Sequence, residues 1–448
     1  MFKKIIEPFI LGVIVSFYFF PIAFTFLPES LNSKVLLALV GAFLFIIRSV
    51  KERTLSLSKH VFFSACLALL FSALCYLAIL FNNTNDTTYV TYIVSFGVWI
   101  AGAYGVYRLL RIRYDSVTIP ILTKYLMWVG VAQCISALLL DNVPVFKSAV
   151  SVVFYFGSEF LDDIGRMYGL GAALDPGGVR FSIILVLIAH DVGKRVFSDG
   201  RPKEVATYFF CFFFIILIGN MISRTTTVGA IIGLAFMLWS LSKIKHGFVS
   251  RSIIRSFLSI TTFLVIAIPI VVFLYNNSPM MHSHLRFGFE GFFNWIETGV
   301  WRTDSTDKLN AVMWVWPNDT KTWIIGSGII DNFAYSTDIG YCRFILYCGL
   351  VGFGSFSLFF VYNAFAIAQK FKGITWLSFM LLVLTFVIWI KVSTDIFQIY
   401  ALLFCLDRVL DEDEQEETGK EKIDSQPADD LDAKLARWAA RPVGNDNQ

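Results

Sequence analysis

The chain has 448 residues, of which 56% are hydrophobic, 17% aromatic and 16% charged, with a formal net charge of +3. Together with a mean hydropathy of +0.66, this excludes an ordinary soluble domain and predicts an all-α, polytopic membrane protein, whose backbone polar groups must be satisfied inside each span. No soluble stretch is large enough to house a nucleotide-using catalytic domain, and nothing in the charge pattern calls for nucleic acid.

In chain order, the apolar runs predict about twelve transmembrane helices: 9–28, 35–47, 61–81, 89–107, 117–140, 179–193, 205–222, 226–242, 256–275, 340–368, 374–390 and 394–410. The first run is of spanning length and lacks an A-x-A site, so it reads as an insertion signal rather than a cleaved leader. With the N-terminus inside, each cytoplasmic loop carries lysine or arginine: Arg48 to Lys59, Arg108 to Arg113, Lys194 to Lys203, Lys243 to Arg255, and Lys370 with Lys372. Basic short loops stay in the cytoplasm, so both termini are expected there. Residues 1–410 form one transmembrane domain. The tail 411–448, opening with DEDEQEE, reads as solvated and mostly disordered.

Several motif classes are missing. There is no GxxxxGK[ST], and GSG at 326–328 lacks the strand-then-helix setting of a dinucleotide site. The seven cysteines lie in or beside spans and read as packing residues. His282 and His284 lack a third ligand nearby, so no metal or other cofactor is expected.

The informative residues lie on the outer face. Val205 to Ser242 would be about 57 Å long as one helix, nearly twice the roughly 30 Å of a hydrocarbon core, so it is two spans. The join reads SRTT, and Arg224 is its only charge. A permanent cation between four hydroxyl residues, with no evident anchoring need, suits an anionic ligand. The two large outer loops, 141–178 and 276–339, carry the rest. The first holds Arg166, which with Arg180 at the mouth of the sixth span flanks a glycine-rich turn. The second holds Arg286, Arg302 and the aromatic stretch LRFGFEGFFNWIETGVW, of the kind that lies in the headgroup zone. It runs into TDIGYCRFILYCGLVG, where Asp338 and Arg343 enter the tenth span. Arginine forks onto phosphate through two parallel hydrogen bonds and stays charged in a half-dry site. Singly, Arg286, Arg302 and Arg343 read as lipid anchors; Arg166 and Arg180 divide evenly between anchor and ligand.

SRTTTVG between closely joined spans, Arg166 with Gly177 at R-x10-G spacing, and TDIGYCRFILYCGLVG closing the fifth outer loop resemble the bacterial O-antigen polymerase and O-antigen ligase family. The motif likeness covers about Arg166 to Gly352, with only topology beyond. The resemblance implies glycosyl transfer at the outer face of the inner membrane from an undecaprenyl-diphosphate-linked oligosaccharide, without a metal. Arg166, Arg180 and Arg224 would then hold the diphosphate. A flippase and a chain-length regulator are the implied partners, besides the lipid bilayer. The family's ligases open an H-x10-G pattern with histidine; here that place is Asp338, with Gly349 as the glycine. This departure favours the polymerase branch, with Asp338 as the base and Glu290 in reserve. A helix N-cap is the plain alternative for Asp338. A ligase, and a twelve-helix transporter, stay open as alternatives; charges kept at the outer face and the lack of a repeat rank transport last.

Overall fold

The computed structural model of the protein describes residues 2–28, 30–54, 58–155, 157–197, 202–242, 261, 265, 268–330, 335–371 and 373–407. The tail 411–448, the loop 243–255 expected to be cytoplasmic and the first part of expected span 256–275 lie outside them.

The described residues are almost entirely helical, and seven helices are long and apolar enough to cross a membrane: Ser33–Glu52, Lys59–Asn82, Tyr92–Leu110, Ile119–Asn142, Leu174–Lys194, Glu204–Ile222 and Gly340–Lys370. Shorter apolar helices are Ile6–Phe19, Thr226–Ser240, Ile268–Asn277 and Thr375–Ile388. Large apolar side chains such as Phe9, Phe43 and Phe365 stay exposed, as they must where the surrounding solvent is hydrocarbon. This is an all-α membrane protein. Its only sheet among the described residues is a two-residue antiparallel bridge, Ala23–Phe24 to Phe154–Tyr155.

Two helices are longer than the apolar runs 35–47 and 179–193 predict. Ser33–Glu52 is capped by Asn32, whose side chain accepts the Val35 N–H at 3.3 Å, and its polar end continues through an Arg48–Glu52 pair one turn apart at 2.9 Å. Leu174–Phe197 starts five residues before its apolar run, because Asp175 and Pro176 suit a first turn. Arg180 therefore lies in the second turn of the helix and not at its mouth. The two stretches expected as outer loops are also more structured than long loops: 141–178 contains Pro144–Ser151 and Ser158–Asp163, and 276–339 contains Pro279–Gly288, Glu290–Thr298, Asp304–Lys308 and Thr320–Ile325.

Close helix crossings set the positions of the polar residues. A Cβ on Gly41 would fall 1.8 Å from the Ala101 carbonyl oxygen, so Ser33–Glu52 and Tyr92–Leu110 touch backbone to backbone. Leu174–Phe197 and Thr226–Ser242 cross as tightly: Ser182 Oγ donates to the Thr225 carbonyl at 2.8 Å and accepts the Gly229 N–H at 3.1 Å. This crossing brings the first turns of Leu174–Phe197 under the SRTT join.

The GSG segment has a structural use. Helix Gly340–Lys370 breaks at Gly349, where φ is 67° and ψ −178°. Such a break frees carbonyls that hydrocarbon cannot satisfy. The Ser327 and Gly328 N–H groups donate to Leu346 and Tyr347 oxygens at 2.7 and 2.9 Å, closing the gap. Gly349→Ala places a Cβ 2.2 Å from the Ile324 oxygen in a conformation that glycine alone adopts readily, an expected cost of about 3 kcal/mol or more. The variant should lose its monodisperse elution peak in mild detergent; a wild-type profile would show that the break is dispensable.

Candidate functional site

The SRTT join is three residues long, between Pro202–Ile222 and Thr226–Ser242, and hydroxyls hold it. Thr226 Oγ1 donates to the Gly219 oxygen at 3.0 Å, and Thr227 Oγ1 to Asn220 Oδ1 at 2.7 Å. Two further hydroxyls turn to Asp175: Ser223 Oγ donates at 2.9 Å and Thr225 Oγ1 at 2.6 Å, both to Oδ1. Lys391 Nζ donates to the same carboxylate oxygen and to Thr225 Oγ1, each at 3.1 Å. Asp175 thus clamps the join to the connection between Thr375–Ile388 and Phe397–Cys405.

Arg224 is not the isolated cation its sequence setting suggests. Its Nη1 is ion-paired with Glu290, and both side chains are largely buried. Glu290 also accepts the Asp304 N–H at 2.8 Å, so both its oxygens are engaged. The Arg224 guanidinium lies 4.4 Å from the Phe287 ring centroid, and the Arg166 guanidinium lies 3.7 Å from the same ring. One aromatic ring thereby holds two like charges near each other, offsetting part of their repulsion through its negative π-faces. Burial, and then the positive charge of Arg224, pull the Arg166 guanidinium pKa below its usual value.

Both arginines open on a polar cavity of about 270 Å³, whose charged lining is Arg166, Asp175, Arg224, Lys308, Asp338 and Lys391. Four cations face two carboxylates. The segment ends of at least five different elements contribute, and such convergence of charge in one cleft marks a functional-site candidate. Asp338 is solvent-exposed, and it is not the N-cap of the following helix: that residue is Ile339, which offers no side-chain acceptor.

Three sequence-predicted residues, Arg166, Arg224 and Asp338, meet in this cavity, and Glu290 borders it through its ion pair. Arg180 does not line it. Arg180 Nη1 reaches the Gly171 oxygen at 3.4 Å, and its guanidinium stands 5.9 Å from the Phe20 ring. The other arginines expected on the outer face have local partners: Arg286 pairs with Glu297, Arg302 with Asp307, and Arg343 Nη2 donates to the Ile330 oxygen at 3.1 Å. His282 and His284 diverge, one to the Tyr275 oxygen and the other to Asp141, each at 3.2 Å.

Sequence reasoning missed Asp175, Phe287, Lys308 and Lys391. For Lys391 a signal existed, since a lone charge between two apolar runs is the feature that singles out Arg224. Phe287 carried none, because nothing local distinguishes it from its aromatic neighbours.

No protein-family model, curated protein or solved structure matches the chain. What the fold and site define is an all-α membrane protein with a cation-rich cavity built from helix ends and the short helices between them.

Proposed function

We propose that this protein is a metal-independent glycosyltransferase that polymerises undecaprenyl-diphosphate-linked oligosaccharide repeat units at the outer face of the inner membrane. The observation that carries the reading is the meeting of Arg166, Arg224, Lys308 and Lys391 with Asp338 in one cavity. In this reading the chain spans the membrane about twelve times with both termini cytoplasmic, and the cavity opens outward.

A diphosphate suits this lining because planar guanidinium forks and ammonium groups stabilise charge best where water is sparse. A lipid-linked donor also needs apolar surface beside its phosphates. Leu285 and Phe289, which bracket Phe287 in sequence, line an apolar groove of about 400 Å³ together with Phe213, Ile216 and Val271. In the transfer, an acceptor hydroxyl attacks the anomeric carbon of the donor sugar as its proton passes to the Asp338 carboxylate. The bond from anomeric carbon to phosphate oxygen breaks, and its electron pair stays on the diphosphate, where the arginines stabilise it. Arg180 would act behind this layer, supporting the turn at Gly171.

The surface-polysaccharide banding of a deletion strain tests the reading. Loss of a polymerase leaves single repeat units on the acceptor. A bare acceptor with accumulating lipid-linked polymer would identify a ligase instead, and repeat units stranded on the cytoplasmic side would identify a flippase.

A further inference from the structure

The helix Glu290–Thr298 has two unlike faces. Phe292, Trp295 and Ile296, at i, i+3 and i+4, are 47%, 52% and 62% exposed, and at 100° per residue they fall within one stripe about 100° wide. Glu290, Asn294 and Glu297 occupy the opposite side, where Glu297 pairs with Arg286 and Asn294 Nδ2 donates to the Arg302 oxygen at 2.8 Å. The apolar stripe continues into exposed Val300 and Trp301. On its other flank, Phe292 and Phe293 share a groove with Ile268, Val271 and Val272 of the apolar helix Ile268–Asn277.

That continuity decides what covers the stripe. In water, three large apolar side chains on a nine-residue helix would be an exposed patch that a soluble surface avoids. Beside a lipid-facing helix the same stripe fits the boundary between headgroups and acyl chains, with aromatic rings at the interface and polar side chains away from it.

We propose that Glu290–Thr298 is an interfacial helix seated on the lipid surface, and that this seating holds the Glu290 carboxylate on Arg224. Glu290 opens the helix on the face turned from the lipid stripe, and binds both Arg224 and the Asp304 N–H. Lifting the helix from the bilayer removes the carboxylate and frees one guanidinium of the cavity. The consequence for anion access rests on the function proposed above; the seating and its hold on Glu290 do not.

Two measurements test it on the full chain in vesicles of phosphatidylethanolamine and phosphatidylglycerol. Spin labels placed singly at Phe292→Cys and Ile296→Cys should be more accessible to dissolved oxygen than to a water-soluble nickel complex, whereas a label at Asn294→Cys should show the reverse. Equal access of the nickel complex to all three labels overturns the seating. The Asp304 amide reports on Glu290 directly, because Glu290 is its acceptor. Its hydrogen exchange should speed up at least tenfold in Trp295→Asp/Ile296→Asp, approaching the rate in Glu290→Ala. Labels in lipid with an unchanged Asp304 rate in the aspartate variant would overturn the coupling. Neither readout requires catalysis, so a failure of the polymerase reading is seen separately, in the deletion strain.

Discussion

Replacing Arg224 by alanine is expected to lower polymer formation roughly 30- to 1,000-fold, the loss of about 2–4 kcal/mol of transition-state stabilisation from one charge-assisted contact in a partly desolvated site. The structure gives two reasons for an effect at the high end. Alanine leaves the Glu290 carboxylate without its cation, so a negative charge faces the position proposed for the phosphates. It also removes one of the two guanidiniums flanking Phe287. Arg224→Lys restores the charge but neither the fork nor the flat contact with the ring, and should recover only part of the activity. The join itself is held by Ser223, Thr225, Thr226 and Thr227, so both variants should reach wild-type levels in the membrane. Rates measured in proteoliposomes with lipid-linked donor, normalised to protein by immunoblot, decide the matter. Near-normal polymer from the alanine variant would sink the assignment.

Asp338→Asn is expected to reduce polymer formation by roughly 100-fold or more, because an amide cannot accept the acceptor's proton. Its neighbour fixes the local backbone: Thr337 is buried, donates to the Met313 oxygen and accepts the Ile339 N–H at 3.2 Å. Asp338 itself is exposed and does not occupy the N-cap position. The amide should therefore leave yield and thermal stability in detergent close to wild type, and donor binding intact. Wild-type rates from Asp338→Asn would remove Asp338 from the reaction. Glu290→Gln would be the next variant, although the engagement of both Glu290 oxygens makes it the poorer base.

The membrane class and most helices were legible because hydrophobic periodicity and length report directly on burial in lipid. The ends were not. Leu174–Phe197 begins ahead of its apolar run, since Asp175-Pro176 is first-turn chemistry that a hydropathy window averages away. Arg224 stood out as a lone charge, but its partner lies 66 residues on, and no local pattern pairs it with Glu290. Arg166 and Arg180 read alike in sequence, as arginines flanking a glycine-rich turn, yet Arg166 lines the cavity while Arg180 turns to Gly171; Asp338 drew its proposed role from the resemblance. Asp175 was invisible because a clamp between distant segments leaves no periodic trace, and Lys391, though a lone charge between two apolar runs, carried no sign of its partner. The task of GSG in closing the break at Gly349 depends on a tertiary contact that sequence does not announce.

Two cations of the cavity already have carboxylate partners, Arg224 with Glu290 and Lys391 with Asp175, and this bears on how the site empties. In the proposed reaction the leaving undecaprenyl diphosphate would carry about one more ionisable oxygen than the donor, since the bond to the sugar is replaced by a terminal phosphate group. A purely cationic cradle would hold that product more tightly than the substrate and stall after a single turnover. Resident carboxylates compete for the same cations, so each departure is an ion exchange rather than a bare dissociation. Removing one competitor should expose the effect: Glu290→Gln is expected to show deeper inhibition by added undecaprenyl diphosphate than the wild type, and equal inhibition would assign Glu290 to architecture alone. On this view the negative charges beside the arginines set the pace of turnover, and a site with stronger grip would be a slower enzyme.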